Sequence, residues 1–431
     1  MRRLAIVVGI VLSVLGIGEH VSAQDSVPPV DVLQVDGLID HIVADEIIAA
    51  VDRAATGESQ ALILHVNSTG SVLSPDELGE VLSAVDTSTV PVAVWVGPTG
   101  ARLFGAAAHL LGVADISGMA PGARIGELDT SIIGPNAEGA ARIAMLAGRT
   151  VGLTDARDLG VLDQRVSDEG IATIANMLDA LDGYSENGVE LDTTTEVVTS
   201  EGTVQRNTIA TPRFSKLGLF NQLLHTAASP PVAYLLLLIG LGLLIFEFFT
   251  AGVGVAGLVG AGSLMLAGYG IAELPARAWA VALLVIAMLA FAIDVQVGLP
   301  RTWTGIGIVL TIVGSLWIFE SVPGASLRPT WLSLVTGIGG VMLTFTAGMP
   351  SMTRTRFATP TIGREWMIGL EGDVVTAVDP DGIVEVDGAQ WRARTNRATP
   401  VNPGDRIRVV AIDGVTLEVE PLEGAARDYR R

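Results

Sequence analysis

Five histidines, a single lysine (Lys216) and no cysteine are a thin supply of catalytic groups for 431 residues. The stretch PTGARLFGAAAHLL, residues 98–111, is where they come nearest to forming a site. A run of small residues opening a helix after the strand VPVAVWVG is a place where a hydrolase keeps its nucleophile, yet no serine stands in it. Thr99 lies at its start and His109 near its end, and Ser68 and Ser71 lie upstream in NSTGS, residues 67–71. A hydroxyl attacks poorly at neutral pH unless a base takes its proton. An imidazole serves as that base when a third group orients it. A Thr99–His109 or Ser68–His109 pair supplies the first two groups and not the third. His109 sits in GAAAHLLGV, an apolar helix in which a lone histidine is more often a packed structural residue.

The bulk composition narrows the chemistry further. The lack of cysteine excludes disulfides, thiolate nucleophiles and cysteine-ligated zinc. The histidines are scattered without HExxH-like spacing, so neither a metal nor a cofactor is expected. A net charge of −20 argues against nucleic acid, whose phosphates such a surface repels. With 49% hydrophobic residues, a membrane component is expected.

The elements that must position these residues form three sections. Two arginines and an apolar run in MRRLAIVVGIVLSVLGIGEHVSAQDS read as a signal peptide over residues 1–23, with Val21-Ser22-Ala23 fitting the cleavage rule. Residues 24–220 alternate strands (PVDVLQVDGLID, ALILHVNSTG, VPVAVWVG) with helices (DHIVADEIIAAVDRAA, SPDELGEVLSAVD). Such alternation is an α/β core with parallel pairing. Ser74 is the expected N-cap of the second helix, with Pro75 at its first position. Residues 183–212 read as Thr-rich strands or an extended linker.

Residues 230–350 hold apolar runs at 232–250, 253–270, 278–293, 304–319 and 331–348, about five membrane helices. Gly252, Gly254, Gly257 and Gly260 suit close helix packing. Glu247, near the end of the first run, reads as the cap of a helix pair rather than a buried functional charge. Five crossings from an outside first section put the C-terminus inside, and Arg354, Arg356 and Arg364 agree with the positive-inside rule. In residues 360–423, short alternating strands are broken by Pro-Asp-Gly, Val-Asp-Gly, Pro-Gly-Asp and Ile-Asp-Gly, the pattern of a small all-β OB-like barrel. Trp391 is expected in its core rather than as a base-stacking platform, although Arg392, Arg394, Arg397, Arg406 and Arg408 add charge.

This layout resembles the long form of the NfeD family, also described as membrane-bound ClpP-class serine proteases. The resemblance is carried by GLEGDVVTAVDPDGIVEVDGAQWRARTNRATPVNPGDRIRVVAIDGVTLEVEP in the last module and by LLHTAASPPVAYLLLLIGLGLLIFEFFTAGVGVAGLVGA at the first span. APGARIG (120–126) and LTDARDLGVLD (153–163) carry it in the first section. It implies a ClpP/crotonase-like α/β fold for residues 24–220. In that family a serine after P-x-G-A is the nucleophile, a lysine on a later helix is its base, and a Thr-Pro-Gly-Gly turn holds the oxyanion.

Laid over this sequence, the serine position falls on Gly105, and the only lysine lies just before the membrane. Arg142 and Arg149 cannot replace the base because guanidinium does not deprotonate in proteins. The oxyanion turn becomes Asn67-Ser68-Thr69-Gly70-Ser71, leaving Gly70 and Ser71 as its remnant. The resemblance therefore implies a degenerate protease domain, a pseudoprotease acting as a binding scaffold in membrane organisation or quality control. Its implied partners are stomatin- or flotillin-like membrane proteins or a hydrophobic peptide segment, with self-association as a homodimer. The competing expectation is an active membrane-bound endopeptidase that cleaves hydrophobic segments through a relocated nucleophile, Thr99 or Ser68.

Overall fold

The computed structural model describes residues 27–162, 169–186, 189–198, 204–250, 254–297, 302–352, 364–395 and 399–423. The expected signal segment, and Arg354, Arg356 and Arg397, lie outside the described residues. The chain divides into two compact units, residues 1–349 and 350–431.

The first unit begins with β1 (Val30–Ile39), α1 (His41–Thr56), β2 (Ala61–Ser71), α2 (Pro75–Asp86), β3 (Val92–Val96) and β4 (Arg102–Phe104). A 3-10 turn over Gly105–His109 leads into α3 (Leu110–Val113), β5 (Ile116–Met119), β6 (Arg124–Gly126), α4 (Ala137–Ile143), β7 (Thr150–Val151), α5 (Leu153–Asp158) and α6 (Ile174–Leu181). Two hairpins follow, β8–β9 (Ser185–Glu186, Val189–Glu190) and β10–β11 (Thr194–Val198, Val204–Thr208), then β12 (Pro212–Ser215). The described residues of the 183–212 stretch are thus mainly strand and turn.

Strands β12, β1 and β2 pair in parallel, and the sheet forks at β2. Residues 62–66 of β2 pair with β3, which pairs with β5. Beyond them Ser68 pairs with Leu103 of β4, which leads to β6 and an antiparallel β7. The fork brings the two segments singled out by their hydroxyls to one place. Helices α1 and α2 lay their apolar stripes, Val43, Ile47 and Val51 and then Leu78, Leu82 and Val85, on the sheet. Each such buried side chain stabilises the fold by about 1.5–3 kcal/mol. Helix α2 starts as its sequence dictates: Ser74 caps it, Glu77 returns the bond to complete a capping box, and Pro75 stands in the first turn. Helix α1 is capped by the buried carboxylate of Asp40, which accepts from the Val43 N–H at 2.9 Å.

The same unit continues through α7 (Leu219–Ala227) into five apolar helices: α8 (Pro230–Thr250), α9 (Val255–Glu273), α10 (Ala278–Val297), α11 (Thr302–Trp317) and α12 (Trp331–Leu343). Among the described residues four helices are long and apolar enough to cross a membrane, α12 with the turns that extend it to Met352. The fourth in order, α11, has only 16 residues. Helices α8 and α9 approach backbone to backbone, since a Cβ on Gly260 would stand 3.1 Å from the Gly240 carbonyl oxygen. Tyr234, fully buried, donates to the Ser315 hydroxyl at 2.9 Å and joins α8 to α11. Glu247 does cap the next helix, accepting from the backbone N–H of Gly254 at 3.0 Å and of Gly257 at 3.3 Å. Asp294 repeats the device on the following pair, accepting from the Thr304 N–H at 2.6 Å.

The second unit is a closed five-stranded barrel of β13 (Glu371–Thr376), β14 (Asp381–Val386), β15 (Ala389–Arg394), β16 (Arg406–Asp413) and β17 (Thr416–Pro421). Around the barrel the order is β13-β14-β15-β17-β16, with β15 and β17 parallel, the arrangement of an OB-like fold. Asp387 and Gly388, both at positive φ, make the tight turn that the Val-Asp-Gly signal predicts. Trp391 packs against the barrel core under the Arg364 guanidinium. Arg394 pairs with Asp381, and Arg406 and Arg408 both reach Glu371.

Candidate functional site

Among the described residues no hydrogen bond joins the three groups that could form a relocated nucleophile and base. Ser68 is fully buried, and its hydroxyl donates to the Gly70 carbonyl at 3.0 Å. Thr99 is exposed on the turn between β3 and β4. His109 is buried, its Nε2 bonded to the Asp129 carbonyl oxygen at 2.8 Å and its Nδ1 without a partner among the described residues. With Nε2–H donating to a carbonyl, Nδ1 is a closed-in lone pair that no hydroxyl reaches.

Gly70 and Ser71 do not form a turn; both belong to β2, beyond a one-residue bulge against β1 opposite Gly37 and Leu38. The Ser71 hydroxyl donates to the Ile39 carbonyl at 2.9 Å and accepts from the Leu73 N–H. It works as a strand-end clip. Lys216 lines a separate hollow of about 150 Å³ with Asp36, Glu46 and His225. Arg142 donates to the Leu111 carbonyl oxygen.

Gly105 opens the 3-10 turn, buried, at φ +61°, a conformation that a serine adopts only under strain. The space its side chain would need is filled by the loop between α11 and α12. There Val322-Pro323-Gly324-Ala325 makes a tight turn with reciprocal backbone bonds between Val322 and Ala325, at 3.1 and 3.0 Å. Proline at the second position and Gly324 at φ +79° at the third satisfy the needs of a type II turn. A Cβ on Gly105 would stand 2.2 Å from the Pro323 carbonyl oxygen, and one on Gly324 would stand 2.5 Å from Gly105 Cα. On the other flank, a Cβ on Gly70 would meet the Ala325 methyl at 3.4 Å. Leu38 and Val72 pack into the same apolar cluster as Val322 and Ala325. In the sequence ESVPGASLRP stands only as the stretch between the apolar runs 304–319 and 331–348, and nothing in it foretells this contact. Its Pro-Gly pair signals the turn alone.

Two histidines make a second, polar joint between the α/β domain and the helices. His41, at the start of α1, bonds Glu273 at the end of α9 through Nδ1 at 2.6 Å and Glu77 through Nε2 at 3.0 Å. His225 of α7 bonds Asp40 through Nδ1 at 2.7 Å and the Asp36 carbonyl through Nε2 at 3.0 Å. Each ring faces two acceptors, so both nitrogens must carry protons and the ring is an imidazolium. The hydrogen bonds that His41 donates to Glu273 and then to Glu77 raise its pKa above the ordinary value. Burial works against the charge on His225, and the Asp40 carboxylate outweighs it, so that pKa is raised too.

Two parts of the chain match described family models. Residues 231–349 match the NfeD integral membrane domain, and residues 364–421 match the NfeD-like C-terminal, partner-binding domain. The membrane-bound protease PH1510 of Pyrococcus horikoshii is 26% identical over 424 residues, covering 92% of this chain and 94% of that protein. Among solved structures, the C-terminal domain of the stomatin operon partner protein 1510-C from the same organism is 39% identical. That match covers 16% of this chain and 98% of that one, with a TM-score of 0.14. The 1510-N membrane protease specific for a stomatin homolog, also from Pyrococcus horikoshii, is 16% identical. It covers 46% of this chain and 98% of that one, with a TM-score of 0.34.

Proposed function

We propose that the chain is an integral membrane scaffold of the NfeD kind, whose α/β domain binds without cutting and whose barrel engages a membrane-protein partner. The observation that carries this reading is the seat at Gly105. The residue is buried at positive φ with a backbone carbonyl where a nucleophile's side chain would stand. The remaining ingredients of acyl transfer are also unsupplied. Ser68 is spent on the Gly70 carbonyl, His109 on that of Asp129, and the lone lysine lines another hollow. A hydroxyl without a base within reach is a poor nucleophile.

The partner of the barrel is a stomatin-like membrane protein, the class named for the Pyrococcus relatives. Four helices reach the length of a membrane span and α11, at 16 residues, falls short of it; this reading takes α11 as a fifth crossing, which puts the α/β domain outside the cytoplasmic membrane and the barrel inside. The role that follows is to hold a partner in place, as membrane organisation or quality control requires.

The test is a peptidase assay on the full chain in detergent micelles, using hydrophobic peptides, with an active Ser/Lys member of the family as positive control. No cleavage is expected while the control cuts. Cleavage that disappears in Thr99→Ala or Ser68→Ala would establish a relocated site and an active endopeptidase instead.

A further inference from the structure

We propose that the Val322–Ala325 turn is a built-in ligand of the α/β domain: the hollow between Gly70 and Gly105 is a binding site, its occupant is this segment of the same chain, and the site is uncovered only when the turn withdraws. The inference goes beyond the scaffold reading and stands on this contact, whether or not the chain cleaves peptides.

Three features separate a seated ligand from a loop that happens to touch. The first is reciprocity. Gly105 and Gly324 each lack the one atom that the other leaves no room for, since a Cβ on either would fall within 2.5 Å of the other's peptide backbone, at Pro323 O or Gly105 Cα. Both also occupy the left-handed region, at φ +61° and +79°, which favours glycine. Such a fit comes from two backbones meeting and not from side chains filling space.

The second feature is the preformed shape of the occupant. Its turn is closed by its own two backbone bonds, so little ordering is left to be done on docking. The third is the apolar collar. Leu38 and Val72 of the α/β domain join Val322 and Ala325 in one cluster on either side of the tip. The hollow lies where the β2 fork brings Ser68 and Leu103 together, so the turn covers the end of β2 and the start of the 3-10 turn.

The native chain has no cysteine, which makes the contact directly testable in the full chain in detergent micelles or nanodiscs. A Cβ at residue 70 lies 3.4 Å from that of Ala325, close to the separation of about 3.5–4.5 Å that a disulfide requires. The double variant Gly70→Cys/Ala325→Cys should form one intramolecular disulfide on mild oxidation, seen as a reducible shift in gel mobility. Adding Gly324→Asp, which makes no further change in the α/β domain, should cut the yield at least about fivefold by expelling the turn.

In a second arm, the single variant Gly70→Cys is labelled with a maleimide. It should react at least about tenfold faster once Gly324→Asp is added, because the occupant has left. Two cysteines that stay unlinked in a chain with a native melting transition would overturn the contact. A disulfide that forms while labelling is equally fast with and without Gly324→Asp would overturn the claim that the turn occupies the site. Neither result depends on whether peptides are cleaved.

Discussion

The α/β domain is fastened to the membrane helices by two joints built on opposite principles. At one, His41 and His225 reach carboxylates and a carbonyl across the boundary, and the bond consists of charge held in a half-open setting. At the other, Gly70 and Gly105 accept the Pro-Gly turn by offering nothing but backbone. The first joint titrates and tolerates small shifts of geometry, because a charge pair weakens gradually with distance. The second is indifferent to pH and intolerant of a single methyl group, because repulsion between packed atoms is steep. A domain held both ways is positioned by shape and held more firmly where its two histidines are protonated.

This difference can be broken from the steric side with the largest effect. Gly105→Val adds a branched side chain at a positive φ and drives its Cβ onto the Pro323 carbonyl. A loss of about 3 kcal/mol or more is expected, read as a fall in the thermal unfolding midpoint of the detergent-solubilised chain at any pH. A variant melting within a degree of the parent would show that the turn is not seated there.

Asp40→Ala attacks the polar joint. It removes the α1 cap and strips His225 of its carboxylate, so about 2 kcal/mol should go. Part of that loss should be recovered in Asp40→Asn, which keeps the capping oxygen. Equal damage in the two variants would mean that the charge on Asp40, and not the cap, carries the effect.

The smallest effect sharpens the contrast by pH. Both histidines have raised pKa values in the folded chain. Their contribution is therefore complete below about pH 6.5, the ordinary histidine value, and is lost as pH rises through the shifted values. Stability should decline by roughly 1 kcal/mol from pH 6 to 8.5, a modest sum because the His41 side chain is 50% exposed and solvent screens its pairs. Thermal unfolding across that range should flatten when His41→Gln and His225→Gln are combined. An unchanged slope in the double variant would assign the pH dependence elsewhere.

How much of this was legible in the sequence depends on how far apart the partners stand. Local features read directly: Ser74 and Pro75 begin a helix, Asp387-Gly388 turn a hairpin, and Glu247 caps the helix ten residues on. Each signal is written within a few residues of its consequence. Parallel strands separated by helices gave the α/β class for the same reason, since hydrophobic period and turn chemistry repeat along the chain. The joints could not be read this way. His41 and Glu273 lie 232 residues apart. The Gly105 contact involves residues without side chains, so it leaves no pattern of size, charge or polarity. NSTGS was misread for a related reason: its Ser, Thr and Gly favour turns, but pairing to β1 draws it out as strand with a bulge.

Glu247 and Asp294 bear on how such a chain is delivered into a bilayer. Each carboxylate sits near the end of one apolar helix and closes onto free N–H groups at the head of the next. A helix threaded in alone would carry an anion with no counterpart, and its successor would bring bare amides into hydrocarbon. Entering together, α8 with α9 and α10 with α11, the two helices settle each other's account. The hairpin is thus the smallest piece of this protein that a translocation channel can release sideways with those groups satisfied, and α12 is left to follow by itself.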